Sequence, residues 1–192
     1  MSEKSAIRKA ILESRNRLSA GEAEEKSRLI ISRLMMLDEY TKSTVVMCYM
    51  SFGNEVQTGA LVECILSEGK RVAIPLVVGI PGGKREMMAC EIRDTASELE
   101  PGTYGILEPR KDSAVILNPL EIDLVVVPGV AFDINRNRIG YGAGFFDRFL
   151  KSTGSSCKKI ALAYEMQVLE QIPAEEHDIP VDMIITEERI IV

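Results

Sequence analysis

The chain has 192 residues, 46% of them hydrophobic, enough to bury a core at a length nearer to one domain than to two. Its 23 basic and 29 acidic side chains, mixed along the sequence, leave a net charge of -6, which argues against nucleic acid or an anionic membrane surface as the main partner. Cys48, Cys64, Cys90 and Cys157 form no CxxC pair, so neither a zinc site nor a dithiol motif is indicated, and a reduced, cytoplasmic chain is expected.

The opening, MSEKSAIRKAILESR, is charged and amphipathic rather than secretory, and no apolar stretch approaches the roughly 20 residues that cross a bilayer. Ile7, Ala10, Ile11, Ser14 and Leu18 recur at helical spacing, which predicts a surface helix from Glu3 to Leu18 with one buried face. Ser19 and Glu22 form a capping box for a second helix, carried by Ala23, Ile30, Leu34 and Leu37 to about Asp38. A buried strand, Thr44 to Met50, follows, then a helix from Thr58 to Glu68 and a short strand from Arg71 to Pro75. That crossover implies a parallel pair. Leu76 to Lys111 is rich in Pro and Gly and reads as loops around one strand near Met87 to Ile92. Ile122 to Val127 is a second buried strand, running through PGVAFD and a turn at Asn135 to Asn137 into a glycine segment and a helix from about Gly144 to Leu150. A further strand is expected at Lys159 to Ala163, and one or two more from Met183 to Thr186 and Arg189 to Val192. Strands alternating with helices predict a single α/β domain over residues 1–192, an open three-layer and mostly parallel sheet.

The glycine segment, RIGYGAGFFDR from Arg138 to Arg148, carries the chemistry. Gly140, Gly142 and Gly144 let backbone approach a ligand, and the opening turn of a helix offers unpaired N–H groups to an anion. Phosphate is the favoured ligand, with Arg138 and Arg148 available for charge-assisted contacts. The pattern is neither a P-loop nor GxGxxG, and a tight turn between a hairpin and a helix is the competing reading. Asp147 is either a hard oxygen ligand for Mg²⁺ or a complement to the helix dipole. Lys4 and Arg8, four apart, share the margin of the first helix's apolar stripe, with Arg15 near the same line. A solvated helix edge is the alternative for all three. Glu55 follows a strand end, where ligands sit in open α/β sheets.

Together, VVVPGVAFD (Val125 to Asp133) and RIGYGAGFFDRFL (Arg138 to Leu150) resemble the signature region of the 5-formyltetrahydrofolate cyclo-ligases, or methenyltetrahydrofolate synthetases. The resemblance extends in order to KSAIRKAILESR, SFGNEVQT, TYGILEP and EEHDIPVDMIITE. It implies a Rossmann-like fold related to sugar-phosphate isomerases and CoA transferases. It also implies an ATP- and Mg²⁺-dependent closure of 5-formyltetrahydrofolate to 5,10-methenyltetrahydrofolate through a phosphorylated formyl oxygen. Lys4, Arg8, Arg138, Ile139, Gly140, Tyr141, Gly142, Ala143, Gly144, Phe145 and Phe146 are the implied ATP contacts. Met50, Glu55, Tyr141 and Phe145 are the implied substrate contacts, Glu55 meeting the N–H donors of the pterin. Arg138, Tyr141 and Phe145 take the implied catalytic positions. Asp147 and Asp178 take the implied Mg²⁺ positions, with Asp182 a possible substitute, and the lone His177 is read as a surface residue. Partners are then two small molecules, and a monomer is expected. The sequence departs from the common pattern at Phe145 and Phe146, where aromatic hydroxyls are frequent, and at Ala143, where Lys is common. A family member that holds nucleotide or pterin without turnover is therefore the alternative.

Overall fold

The structure, a computed structural model, describes residues 2–102 and 105–192. Thr103 and Tyr104, which open the TYGILEP motif, lie outside the described residues.

Two helices lead the chain. Helix α1 (Glu3–Arg15) begins at Ser2, and α2 (Ala20–Met35) at Ser19, where the expected capping box is present in both directions with Glu22. Helix α2 stops at Met35, and a four-residue α3 (Asp38–Thr41) takes up what the sequence pattern reads as its continuation. Strand β1 (Val45–Met47) is buried throughout, and α4 (Gly59–Ser67) crosses to β2 (Arg71–Ile80), which pairs with β1 in parallel.

Beyond this point the structure corrects the sequence reading. Strand β2 does not end at Pro75. It continues to Ile80 and turns through Gly82 and Gly83, both at positive φ, into β3 (Lys84–Ile92), forming a long hairpin. Proline is tolerated because β1 pairs with β2 only as far as Ala73, so the missing N–H of Pro75 falls where no ladder needs it. After the short α5 (Thr95–Glu98), β4 (Leu99–Pro101) and β5 (Leu107–Pro109) pair antiparallel, and β6 (Val115–Leu117) closes on β3.

Strand β7 (Leu124–Val127) returns to the centre, parallel to β1 on the side away from β2. Strands β8 (Ala131–Asp133) and β9 (Arg138–Ile139) follow, then α6 (Phe145–Leu150), β10 (Lys158–Leu162), β11 (Val168–Leu169), β12 (Met183–Ile185) and β13 (Ile190–Ile191). The main sheet has eight strands in the order β13-β12-β10-β7-β1-β2-β3-β6, while β11-β8-β9 form a small second sheet. Successive strand residues point to opposite faces. Val46, Leu124, Val126 and Ile160 accordingly meet α2 and α4 on one face, while Met47, Val125, Val127 and Ala161 meet α6 on the other. A third apolar cluster joins Ile11 of α1 to Val130, Ala131, Ile139 and Ile172 beside the small sheet. No helix among the described residues is long and apolar enough to cross a membrane.

Candidate active site

The order of strands reverses direction between β1 and β7, since the chain leaves β1 toward β2 and later returns to β7 on its other flank. At such a switch point the loops leaving neighbouring strands part, opening a crevice at the carboxyl ends. A cavity of about 440 Å³ lies there, lined by several segments of the chain. Lys4 and Arg8 come from α1, Met50 and Glu55 from the loop after β1, and Pro75, Val77 and Met87 from the hairpin. Arg138 to Asp147 follow β7, and Glu175 to Asp178 contribute Glu175, His177 and Asp178. The structure brings the site residues singled out in the sequence to one cavity, apart from Arg15, Arg148 and Asp182; the Asp182 carboxylate accepts from the Lys159 backbone at the far end of β10.

The glycine segment is shaped by what its glycines leave room for. Arg138 is buried, and its guanidinium donates to Asp147 at 2.6 Å and to the Pro128 carbonyl at 3.4 Å. A Cβ at Gly140 would lie 2.8 Å from Arg138 Nη1, and one at Gly129 only 2.4 Å from the Phe132 ring. Arg138 thus occupies a slot that side chains at those positions would close. Gly142 and Gly144 have φ of 106° and 63°, conformations that other residues rarely adopt. Among the described residues, the N–H groups of Tyr141 to Gly144 donate to no backbone acceptor. They are available to a ligand at the cavity. Arg148 turns back on the segment, donating to the Ala143 carbonyl at 3.1 Å with its guanidinium 5.1 Å from the Phe145 ring. Upstream, Asp133 is fully buried and accepts from Asn135, Asn137 and Ile172, which fixes the turn that aims the segment.

Helix α1 supplies the opposite wall. Arg8 Nε donates to the Gly140 carbonyl at 2.8 Å, and Lys4 donates to Asp178 at 2.6 Å and lies 3.0 Å from Glu175. Partial burial opposes the Lys4 charge, but the two carboxylates outweigh it and the ammonium pKa is raised. Burial likewise opposes ionisation of Asp178, yet Lys4 and the Glu175 N–H hold its carboxyl below the usual range. His177 is exposed on the rim.

On the far side Glu55 is 8% exposed. One of its oxygens accepts from the Phe52 N–H at 2.9 Å and the other from the Tyr141 hydroxyl. Tyr164, beneath, donates to the Glu55 carbonyl at 2.9 Å. Tyr141 is 49% exposed as a residue, but its hydroxyl end is tucked inward, where burial and the Glu55 charge push the phenol pKa well up against the opposing pull of Arg15. Phe145 and Phe146 are half-buried walls packed against the apolar cluster under α6, without a group that donates or accepts.

Sequence patterns did not single out Pro75, Val77 and Met87, because Val77 lies in the segment read as loop while Pro75 and Met87 sit at the ends of two strands not read as one hairpin. Glu108 appeared only inside a motif, and Arg15 was left open. Arg15 is 4% exposed and donates to the Tyr141 hydroxyl at 2.8 Å. Its 11-residue offset from Lys4, three helical turns along one face, is the signal that marks it.

An open, mostly parallel sheet with a crevice at the carboxyl ends of its central strands, lined by charged and apolar side chains, places the protein among the α/β proteins that bind ligands at a switch point. Residues 1–187 match the 5-formyltetrahydrofolate cyclo-ligase family, and the chain belongs to it. A 5-formyltetrahydrofolate cyclo-ligase of Haemophilus influenzae is 30% identical over 176 residues, 91% of this chain and 92% of that protein. The NMR structure of a 5,10-methenyltetrahydrofolate synthetase from Aquifex aeolicus, 35% identical, superposes with a TM-score of 0.84 over 98% of this chain and 92% of that one. A 5,10-methenyltetrahydrofolate synthetase from Mycoplasma pneumoniae, 24% identical, shares the fold at a TM-score of 0.77 over 97% of this chain and 99% of its own.

Proposed function

We propose that this cavity closes 5-formyltetrahydrofolate to 5,10-methenyltetrahydrofolate at the expense of ATP, releasing ADP and phosphate. One observation supports the assignment to this site: a cation-bearing helix, a glycine segment and the Glu55–Tyr141 pair all border the same 440 Å³ space. The first wall suits a polyphosphate, the second a heterocycle rich in N–H donors. The formyl oxygen attacks the γ-phosphorus and ADP leaves. Nitrogen 10 then attacks the activated carbon and loses its proton, and the carbon–oxygen bond breaks to release phosphate. An amide oxygen is a poor leaving group until it carries a phosphate, so alignment of two ligands and neutralisation of charge are what the protein contributes. Lys4, Arg8 and the amides of Tyr141 to Gly144 bind phosphate oxygens, with Arg138 behind them. Glu55 and Tyr141 orient the pterin, while Met50, Phe145 and Phe146 exclude water.

The donor set fits Mg²⁺. Asp147, which accepts from the Ile179 N–H, and Asp178 both line the cavity, and each makes its hydrogen bonds through one oxygen, leaving the other without a hydrogen bond to protein among the described residues. Mg²⁺ is commonly held by one or two carboxylates together with substrate phosphates. When bound, Mg²⁺ neutralises charge on the transferring phosphoryl group. The same reading makes the 21.3 kDa chain a cytoplasmic, monomeric, single-domain enzyme, which light scattering at that mass and one cooperative unfolding transition would support.

An absorbance assay for the methenyl product with 5-formyltetrahydrofolate and Mg-ATP tests the activity. Wild-type protein should form product at a rate set by both substrates. Absence of product with ATP binding intact would instead favour a non-catalytic nucleotide or pterin binder. Arg138→Ala and Asp147→Ala should each weaken Mg-ATP use, and unchanged nucleotide affinity in both would remove the phosphate assignment.

A further inference from the structure

Arg15 has a role that helix α1 by itself does not require. It is buried in the last turn, its Nε has no hydrogen-bond partner, and its Nη2 donates to the Tyr141 hydroxyl, 126 residues away. A buried guanidinium with an unmet donor is costly, and an apolar side chain of similar length would fill the same space without that cost. The surroundings show what the cation does. The Tyr141 hydroxyl donates to Glu55, and Asn54, beside Glu55, donates to the Arg15 carbonyl at 3.2 Å, so the end of α1 and the Glu55 loop are stitched together twice.

Arginine can only donate. With Arg15 on the phenol oxygen, the Tyr141 proton is directed toward Glu55, and the chain Arg15 to Tyr141 to Glu55 runs one way. One Glu55 oxygen is then held by Tyr141 and the other by Phe52 N–H. Of the roughly four lone-pair directions of a carboxylate, two are used and the rest are left for a ligand. A ring N–H beside an exocyclic amino group, as on the 2-amino-4-oxo edge of a pterin, presents donors in matching number.

We propose that Arg15 is a positioning residue for the folate half of the site, acting through the Tyr141 hydroxyl to hold Glu55 in the orientation that receives the pterin edge. This rests on the function proposed above.

Arg15→Met should raise KM for 5-formyltetrahydrofolate about tenfold, as loss of one charge-assisted hydrogen bond does, while KM for ATP and kcat stay within about twofold. Arg15→Lys, which keeps a donor, should recover part of the loss. Because the effect passes through one hydroxyl, Arg15→Met added to Tyr141→Phe should cost little beyond Tyr141→Phe alone. If Arg15→Met does not fold by circular dichroism, Arg15→Lys alone and in the Tyr141→Phe background carries the comparison. Losses that multiply in the double variant, an equal rise in KM for ATP, or an unchanged folate KM would each overturn the role of Arg15. Wild-type protein that neither binds nor converts 5-formyltetrahydrofolate would overturn the functional reading as well, so the two failures are distinct.

Discussion

Helices α1 and α2 follow one another, both start at a serine cap, and both are amphipathic, yet they do different work. Helix α2 buries Ala23, Ser27, Ile30 and Leu34, and three of these join the main apolar cluster against Val46, Leu124 and Ile160. Helix α1 buries only Ile11 and Arg15, and beside them it points Lys4 and Arg8 at the cavity. Amphipathic spacing shows which face turns inward. It does not show whether that face meets a core or a ligand, and the charges at the edge of the stripe decide the matter.

Substitutions can break this contrast. The largest effect is expected in α2, where Ile30→Ala should cost about 2–5 kcal/mol of stability by removing buried methyl groups from a packed site. Chemical denaturation measures it, and the kinetic constants of the folded fraction should not move. Next comes α1. Lys4→Ala combined with Arg8→Ala should raise KM for ATP about 100-fold, worth about 2.7 kcal/mol, with a modest change in melting temperature. Equal constants would return α1 to a plain packing helix. Lys9, adjacent to Arg8 but exposed, is the matched control, and Lys9→Ala should change neither quantity.

Loss of the α2 cap is smaller again. Ser19→Ala should cost about 1 kcal/mol and leave catalysis alone. The smallest expected effect is a pH dependence at the α1 clasp. The Asp178 pKa is lowered in the folded protein, so its contribution is present above the unfolded value of about 3.9 and is lost as pH falls through the lower folded value. Lys4→Met should therefore be less stable than wild type near neutrality, and the gap should narrow in acid. A gap that stays constant across the range would show that Lys4 and Asp178 are not coupled.

Much of this was legible. The α2 capping box, the buried strands β1, β7 and β10, and the glycine segment all announce themselves through local pattern, and the cavity gathers nearly every residue singled out there. The extended hairpin was hidden because Pro75 ordinarily ends a central strand, and only the short reach of β1 makes it harmless. The small sheet was hidden because two- and three-residue strands carry no period to detect. The pairing of Arg138 with Asp147 and that of Arg15 with Tyr141 are tertiary facts, and nothing in residue spacing names a partner 126 positions away.

The thin apolar anchorage of α1 has one more consequence. Its polar ties reach Gly140 and Asp178, 132 and 174 residues along the chain, while Ile11 is its one buried hydrophobic side chain. Segments held by few buried contacts open at far lower cost than the sheet they rest on. Detachment of this helix would leave the eight-stranded core intact, withdraw Lys4 and Arg8 from the crevice and take Arg15 from the Tyr141 hydroxyl at the same time. On warming, such a molecule goes silent before it melts, and amides in α1 exchange with solvent deuterium long before those of β7.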